Sequence, residues 1–125
     1  MIEKTSIHQL TDNIFEIVQS VGSPAHYIFY YDVQNCRLSD VFFNPILISA
    51  GNEPKYAAYI ENGELIIRDL FDEAAFYKKV TRDFTKTADP TSAIIGITLE
   101  EEGRFKIEYY QGEDYIRKTE IIDFT

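Results

Sequence analysis

Hydrophobic and polar positions alternate most regularly over residues 92–110, SAIIGITLEEEGRFKIEYY. Ile95, Ile97 and Leu99 fall on one side of a first extended segment, and Phe105, Ile107 and Tyr109 on one side of a second. A period of two on both segments predicts a β-hairpin with one face laid on a core. Between the segments stand Glu100, Glu101 and Glu102, closed by Gly103, which takes the positive φ of a tight reversal. Three like charges repel one another and favour no fold, so the tip reads either as a solubilising cap or as a surface that meets a partner.

Elsewhere the pattern predicts two helices. The first covers residues 6–21, with Ser6 and Gln9 placed as a capping box and Ile7, Leu10, Ile14, Ile17, Val18 and Val21 at three- and four-residue steps. Gly22-Ser23-Pro24 stops it, because proline cannot continue a helix. The second starts at an Asp69 or Asp72 cap and runs to about Lys86, with Phe76, Val80 and Phe84 spaced four apart and Tyr77 alongside. The loop 87–91, carrying Asp89-Pro90, ends it.

The remaining runs read as strands. Residues 26–33, HYIFYYDV, are aromatic and β-branched, and Gln34-Asn35 with Cys36 makes a turn. Residues 37–44 are extended, with Leu38, Val41 and Phe43 apolar, and Pro45 marks a break. After Ile46-Leu47-Ile48 comes the loop-like SAGNEP, residues 49–54. Strands at 55–61 and 64–70 are joined by Asn62-Gly63, the strongest short-range signal for a type I′ turn. Residues 115–124 match neither period cleanly and are read as a strand. The sum is a single α+β domain over residues 1–125: an antiparallel meander sheet of about six strands, an N-terminal helix, and a second helix before the C-terminal hairpin.

Charge narrows the partners. The 21 acids against 12 Lys and Arg give a net charge of −9, which repels phosphate backbones and argues against direct nucleic-acid binding. A basic protein suits it better. The only cysteine is Cys36, so no intramolecular disulfide forms and a reducing, cytoplasmic compartment fits. The opening MIEKTSIHQL lacks the apolar run of a signal peptide, and no stretch is apolar enough for a membrane span.

Catalytic candidates are few. There is no phosphate loop, nucleophile elbow or metal-ligand motif. A thiol at Cys36 would need His8 or His26 beside it, and Asp69, Asp72 and Glu73 are read first as acids favouring a helix start. No catalytic residue, cofactor or metal site is assigned. The tyrosines carry more: Tyr30 and Tyr31, like Tyr109 and Tyr110, are neighbours on a strand and point to opposite faces. One of each pair therefore faces away from a given core, and tyrosines among acids are the composition of a protein-binding surface.

Three segments, DVFFN at 40–44, DEAAFYKKVTRDF at 72–84 and above all DPTSAIIGITLEEEGRFKIEYY at 89–110 continuing into QGED, resemble the YezG-like family of bacterial antitoxin or immunity proteins. The resemblance implies an N-terminal helix, aromatic strands, a helix and a hairpin. It also implies a function: binding and neutralising a cognate secreted toxin, often a nuclease, without catalysis. The expected partner-binding residues are Glu100, Glu101, Glu102, Tyr110, Glu113, Asp114 and Tyr115, acids steering a basic toxin toward aromatic anchors. The alternatives are a small enzyme or ligand-binding domain with a carboxylate-lined pocket, and a housekeeping adaptor or dimerisation domain.

Overall fold

The computed structural model describes residues 4–20 and 26–125, and among them the only helical element is a short 3-10 turn at Pro90–Ala93. The expected α+β architecture is corrected to an all-β one of three antiparallel sheets. The N-terminal sheet holds β1 (Lys4–Gln9), β2 (Ile14–Ser20) and β3 (His26–Asp32), with the short β4 (Arg37–Leu38) and β5 (Phe42–Phe43) both pairing to β3. The middle sheet is β6 (Ile46–Ala50), β7 (Glu53–Glu61), β8 (Glu64–Asp69) and β9 (Tyr77–Thr81), in that order. The C-terminal sheet is β10 (Ile94–Glu101), β11 (Arg104–Gln111) and β12 (Ile116–Asp123). The strand reading of 115–124 holds.

The N-terminal helix is replaced by the hairpin β1–β2. Its turn is closed by Leu10 N–H donating to the Ile14 carbonyl at 2.9 Å, and Thr11 Oγ1 accepts from the backbone of Asn13 and Ile14 at 3.2 and 3.1 Å. Thr11-Asp12-Asn13 is thus a turn cluster, which local side-chain acceptors favour over a helix interior. The β-branched residues on either side prefer a pleated strand. Val21 and the Gly22-Ser23-Pro24 stop lie outside the described residues.

The second helix fails for a different reason. The Asp69 carboxylate accepts from the backbone of Phe71 and Asp72, and Asp72 from Ala74, each at 3.0 Å. The expected caps instead hold a turn at 72–75 that delivers β9. Phe76, Val80 and Phe84 do share one core, because a spacing of four also keeps residues on one side of an extended chain. Between them, Lys78 lies over the Phe76 ring at 5.9 Å and Arg82 pairs with Glu120 at 2.7 Å.

The β7–β8 and β10–β11 hairpins match the sequence pattern. β7 and β8 meet at Asn62 and Gly63, φ +53° and +78°, the two positive values a type I′ turn requires. The segment 49–54 is tighter than expected, since β6 and β7 pair from Ala50↔Glu53 across Gly51. In β10–β11, Phe105, Ile107 and Tyr109 are all buried and Gly103 has φ +77°. One side chain departs from the pattern. The register slips between Ile94 and Gly96, so that Ile94 enters the core and Ile95 is left exposed, as a bulge does to its extra residue.

The middle sheet is buried on both faces. Toward the C-terminal sheet, Ile48, Tyr56, Ala58, Leu65, Ile67 and Val80 pack with Ile94, Ile97, Phe105, Ile107 and Tyr109. Toward the N-terminal sheet, Ala57 and Leu70 pack with Ile14, Tyr30 and Phe42. The alternation of Tyr56, Ala57, Ala58 and Tyr59 between these two cores explains why β7 and β8 carry apolar residues at consecutive positions.

Paired residues share a face of the N-terminal sheet, so its register sorts the side chains into rows. Thr5, Gln19, Tyr27 and Phe43 form one row. Ile7, Ile17 and Phe29 form the next, and Gln9, Phe15, Tyr31 and Leu38 a third. These rows lie opposite Ile14, Ile28, Tyr30 and Phe42, which belong to the core against the middle sheet. The expected split of Tyr30 from Tyr31 and of Tyr109 from Tyr110 is observed: Tyr30 and Tyr109 are buried, Tyr31 and Tyr110 half-buried.

Candidate partner-binding surface

β11 carries the expected contact residues at its two ends. Glu100, Glu101 and Glu102 are exposed at the β10–β11 turn, and Glu113, Asp114 and Tyr115 are exposed in the β11–β12 turn. Eight extended residues separate Gly103 from Gly112, so the groups stand roughly 25–30 Å apart at ~3.3 Å per residue. They are two surfaces and not one.

The tip surface is partly neutralised. Arg104 reaches Glu101 at 3.3 Å and Asp123 at 3.4 Å. Glu102 borders a cleft of about 370 Å³ that also holds Lys55 and Tyr56, and Lys55 in turn lies 3.6 Å from Asp69. Exposed pairs of this kind add little stability, but they lower the local charge excess.

At the other end, residues 82–85 run alongside the end of β11. Thr85 N–H donates to the Tyr110 carbonyl at 3.0 Å, Gly112 N–H donates to the Asp83 carbonyl at 2.9 Å, and Thr85 Oγ1 donates to the Gly112 carbonyl at 2.7 Å. This ties down the β11–β12 turn. Tyr115, at φ +54°, meets Tyr110 edge to face at 6.0 Å, a geometry the ring quadrupoles favour. Asp83 and Glu113 line a cleft of about 550 Å³ with Tyr115 and Lys86. Sequence reading missed Asp83, because it lay within the supposed helix; its place beside Gly112 is set by a contact between distant segments.

Close by, Arg82 and Tyr109 share Glu120. Arg82 Nε stands 2.7 Å from it and the Tyr109 hydroxyl donates at 3.0 Å. The guanidinium holds Glu120 below the usual carboxylate range, while burial, and then the bond to Glu120, push the Tyr109 hydroxyl up. The cluster anchors β9's continuation to β12.

A third cleft, of about 420 Å³, opens between the N-terminal and middle sheets and includes Asp40, Glu61, Asp89, Phe42, Tyr59 and Arg68. Arg68 is buried at its floor, with Nη1 2.8 Å from Asp40 and 3.4 Å from Glu73, Nε donating to the Asp69 carbonyl at 3.0 Å, and the guanidinium 5.2 Å from the Phe42 ring centre. Burial pushes the Tyr59 hydroxyl up. This cation is fully engaged in holding the sheets together. Cys36 is exposed in the β3–β4 turn at φ +51°, its thiol 3.8 Å from the Val33 carbonyl. Among the described residues no group of three His, Cys, Asp or Glu is placed to hold a metal ion, and no helix is long and apolar enough to cross a membrane. Comparison with known protein families, curated proteins and solved structures finds no significant match to this chain.

Proposed function

We propose that this protein is a cytoplasmic immunity protein that neutralises a basic toxin domain by direct contact, without catalysis, as the resemblance of residues 89–114 to the YezG-like family implies. The reading rests on the hairpin and its surface and not on the helices that resemblance also implied. The observation that carries it is the Tyr110–Tyr115 pair, set beside Asp83, Glu113 and Asp114 on a turn tied to residues 82–85. Aromatic anchors held in place lose little entropy on binding, and the acids around them steer a cation-rich partner. The acidic tip at Glu100, Glu101 and Glu102 lies too far away for the same small contact and serves long-range attraction instead.

The test is co-expression with the toxic C-terminal domain of an exported protein encoded beside the gene. Growth is restored and a one-to-one complex is isolated with the wild type. Tyr115→Ala combined with Asp114→Lys abolishes both while leaving the thermal melt in place. A toxin domain that stays active and unbound in the presence of the folded wild type overturns the reading.

A further inference from the structure

The N-terminal sheet presents its charges inward. Glu16, Asp32 and Arg37 share the face that packs on the middle sheet, where Tyr30 donates to Glu16 at 3.1 Å and Arg37 pairs with Asp32 at 2.8 Å. Among the described residues the opposite face carries no charged residue in any of its three rows. A one-sided antiparallel sheet ordinarily shows the reverse, apolar toward the core and polar toward water. Here Ile7 is 66% exposed, Leu38 63%, Phe43 44% and Tyr27 43%, with Phe15 and Phe29 half-buried among them.

We propose that this face is the contact by which two copies of the chain pair, outward rows against outward rows. Three features select a second copy. First, a chain of net charge −9 repels its own kind least over a surface whose described residues include no acid, and this face is such a surface. Second, the same absence of acids makes it a poor seat for the basic partner proposed above, which the opposite end of the molecule attracts. Third, the exposed apolar side chains offer on the order of 600 Å² per copy, so a face-to-face pair buries ~1,200 Å² in total, where stable interfaces begin. Two sheets so apposed interleave their side chains at about 10 Å and place the same patch on both subunits across a two-fold axis. The pairing does not depend on the immunity reading and leaves the Tyr110–Tyr115 end free on each copy.

Sedimentation velocity between about 1 and 100 μM protein, at about 50 mM and 500 mM salt, tests it. The wild type sediments at twice 14.5 kDa at the upper concentrations, and more tightly in high salt, because salt screens the repulsion of the two acidic bodies. Leu38→Lys with Phe43→Lys, and separately Leu38→Glu with Phe43→Glu, each raise the dissociation constant at least ~tenfold. Circular dichroism melts confirm that both variants fold, and Ile7→Lys, at the edge strand, gives a third, independent disruption. Mixing the lysine and glutamate variants restores a dimer containing one of each, since opposite charges then meet across the same face. A wild type that is monomeric at the highest concentration, variants that dimerise as the wild type does, or a lysine–glutamate mixture that stays monomeric overturns the proposal. So does a monomeric wild type whose face is covered only by a different protein.

Discussion

Arg68 and Asp40 join the middle sheet to the β4–β5 connection through a 2.8 Å contact in which the arginine side chain is 4% exposed and the aspartate 67%. The asymmetry decides which partner matters more. Removing the guanidinium frees Asp40 and Glu73 to hydrate where they stand, whereas removing the carboxylates strands a buried cation. Asp40→Ala with Glu73→Ala is expected to destabilise by about 2–4 kcal/mol, below the full range for buried pairs because the acids are exposed. Arg68→Met, which keeps the apolar stem against Phe42, costs ~1 kcal/mol or less. Urea unfolding measures both, and the reverse order would show that Arg68 is held by its packing and not by its acids.

Gly63 tests backbone conformation alone. A Cβ there meets nothing within 4 Å, yet φ is +78°. Gly63→Val is therefore expected to lose roughly 1–3 kcal/mol through strain at a left-handed position and not through a clash. A thermal melt indistinguishable from wild type means that the β7–β8 turn is misassigned.

The two ends of β11 separate anchoring from steering. Glu100→Lys, Glu101→Lys and Glu102→Lys together are expected to slow association with the toxin domain and flatten its salt dependence. Each shifts stability by less than ~0.5 kcal/mol at these exposed positions. Glu113→Lys with Tyr115→Ala is expected to accelerate dissociation as well. Surface plasmon resonance at low and high salt distinguishes the two sets, and wild-type kinetics for both would move the interface to another face.

Acid stability follows from two carboxylates. Burial alone would raise Asp32, but hydrogen bonds from Asn35 and Arg37 outweigh it and leave Asp32 lowered. Glu120 is lowered by Arg82. A group whose folded value lies below its unfolded value contributes stability above the unfolded value and loses it as pH falls through the folded one. The fold should therefore weaken as pH drops below about 4.5, and Asp32→Asn and Glu120→Gln should each give a shallower acid limb in denaturant melts. An acid limb of unchanged slope in both variants counts against these two groups as its source.

The sequence by itself determined the β7–β8 and β10–β11 hairpins. Asn62-Gly63 and Glu102-Gly103 specify their turns through backbone conformation, and Phe105, Ile107 and Tyr109 specify a buried side through a period of two, both local properties of the chain. The residues at the ends of β11 were legible as exposed acids and tyrosines, for the same local reason. Only the tertiary structure decided the rest. Residues 6–21 looked helical because Ile14 and Val18 face one side of β2 while Phe15 and Ile17 face the other. A strand apolar on both faces shows no alternation to read. Residues 76–84 looked helical because every fourth residue is apolar, a spacing common to both periods, and pairing with β8 selected the strand. Asp83 reached Gly112, and Arg68 reached Asp40, through contacts 29 and 28 residues apart in the chain. No local pattern encodes such contacts, because they arise only when three sheets stack.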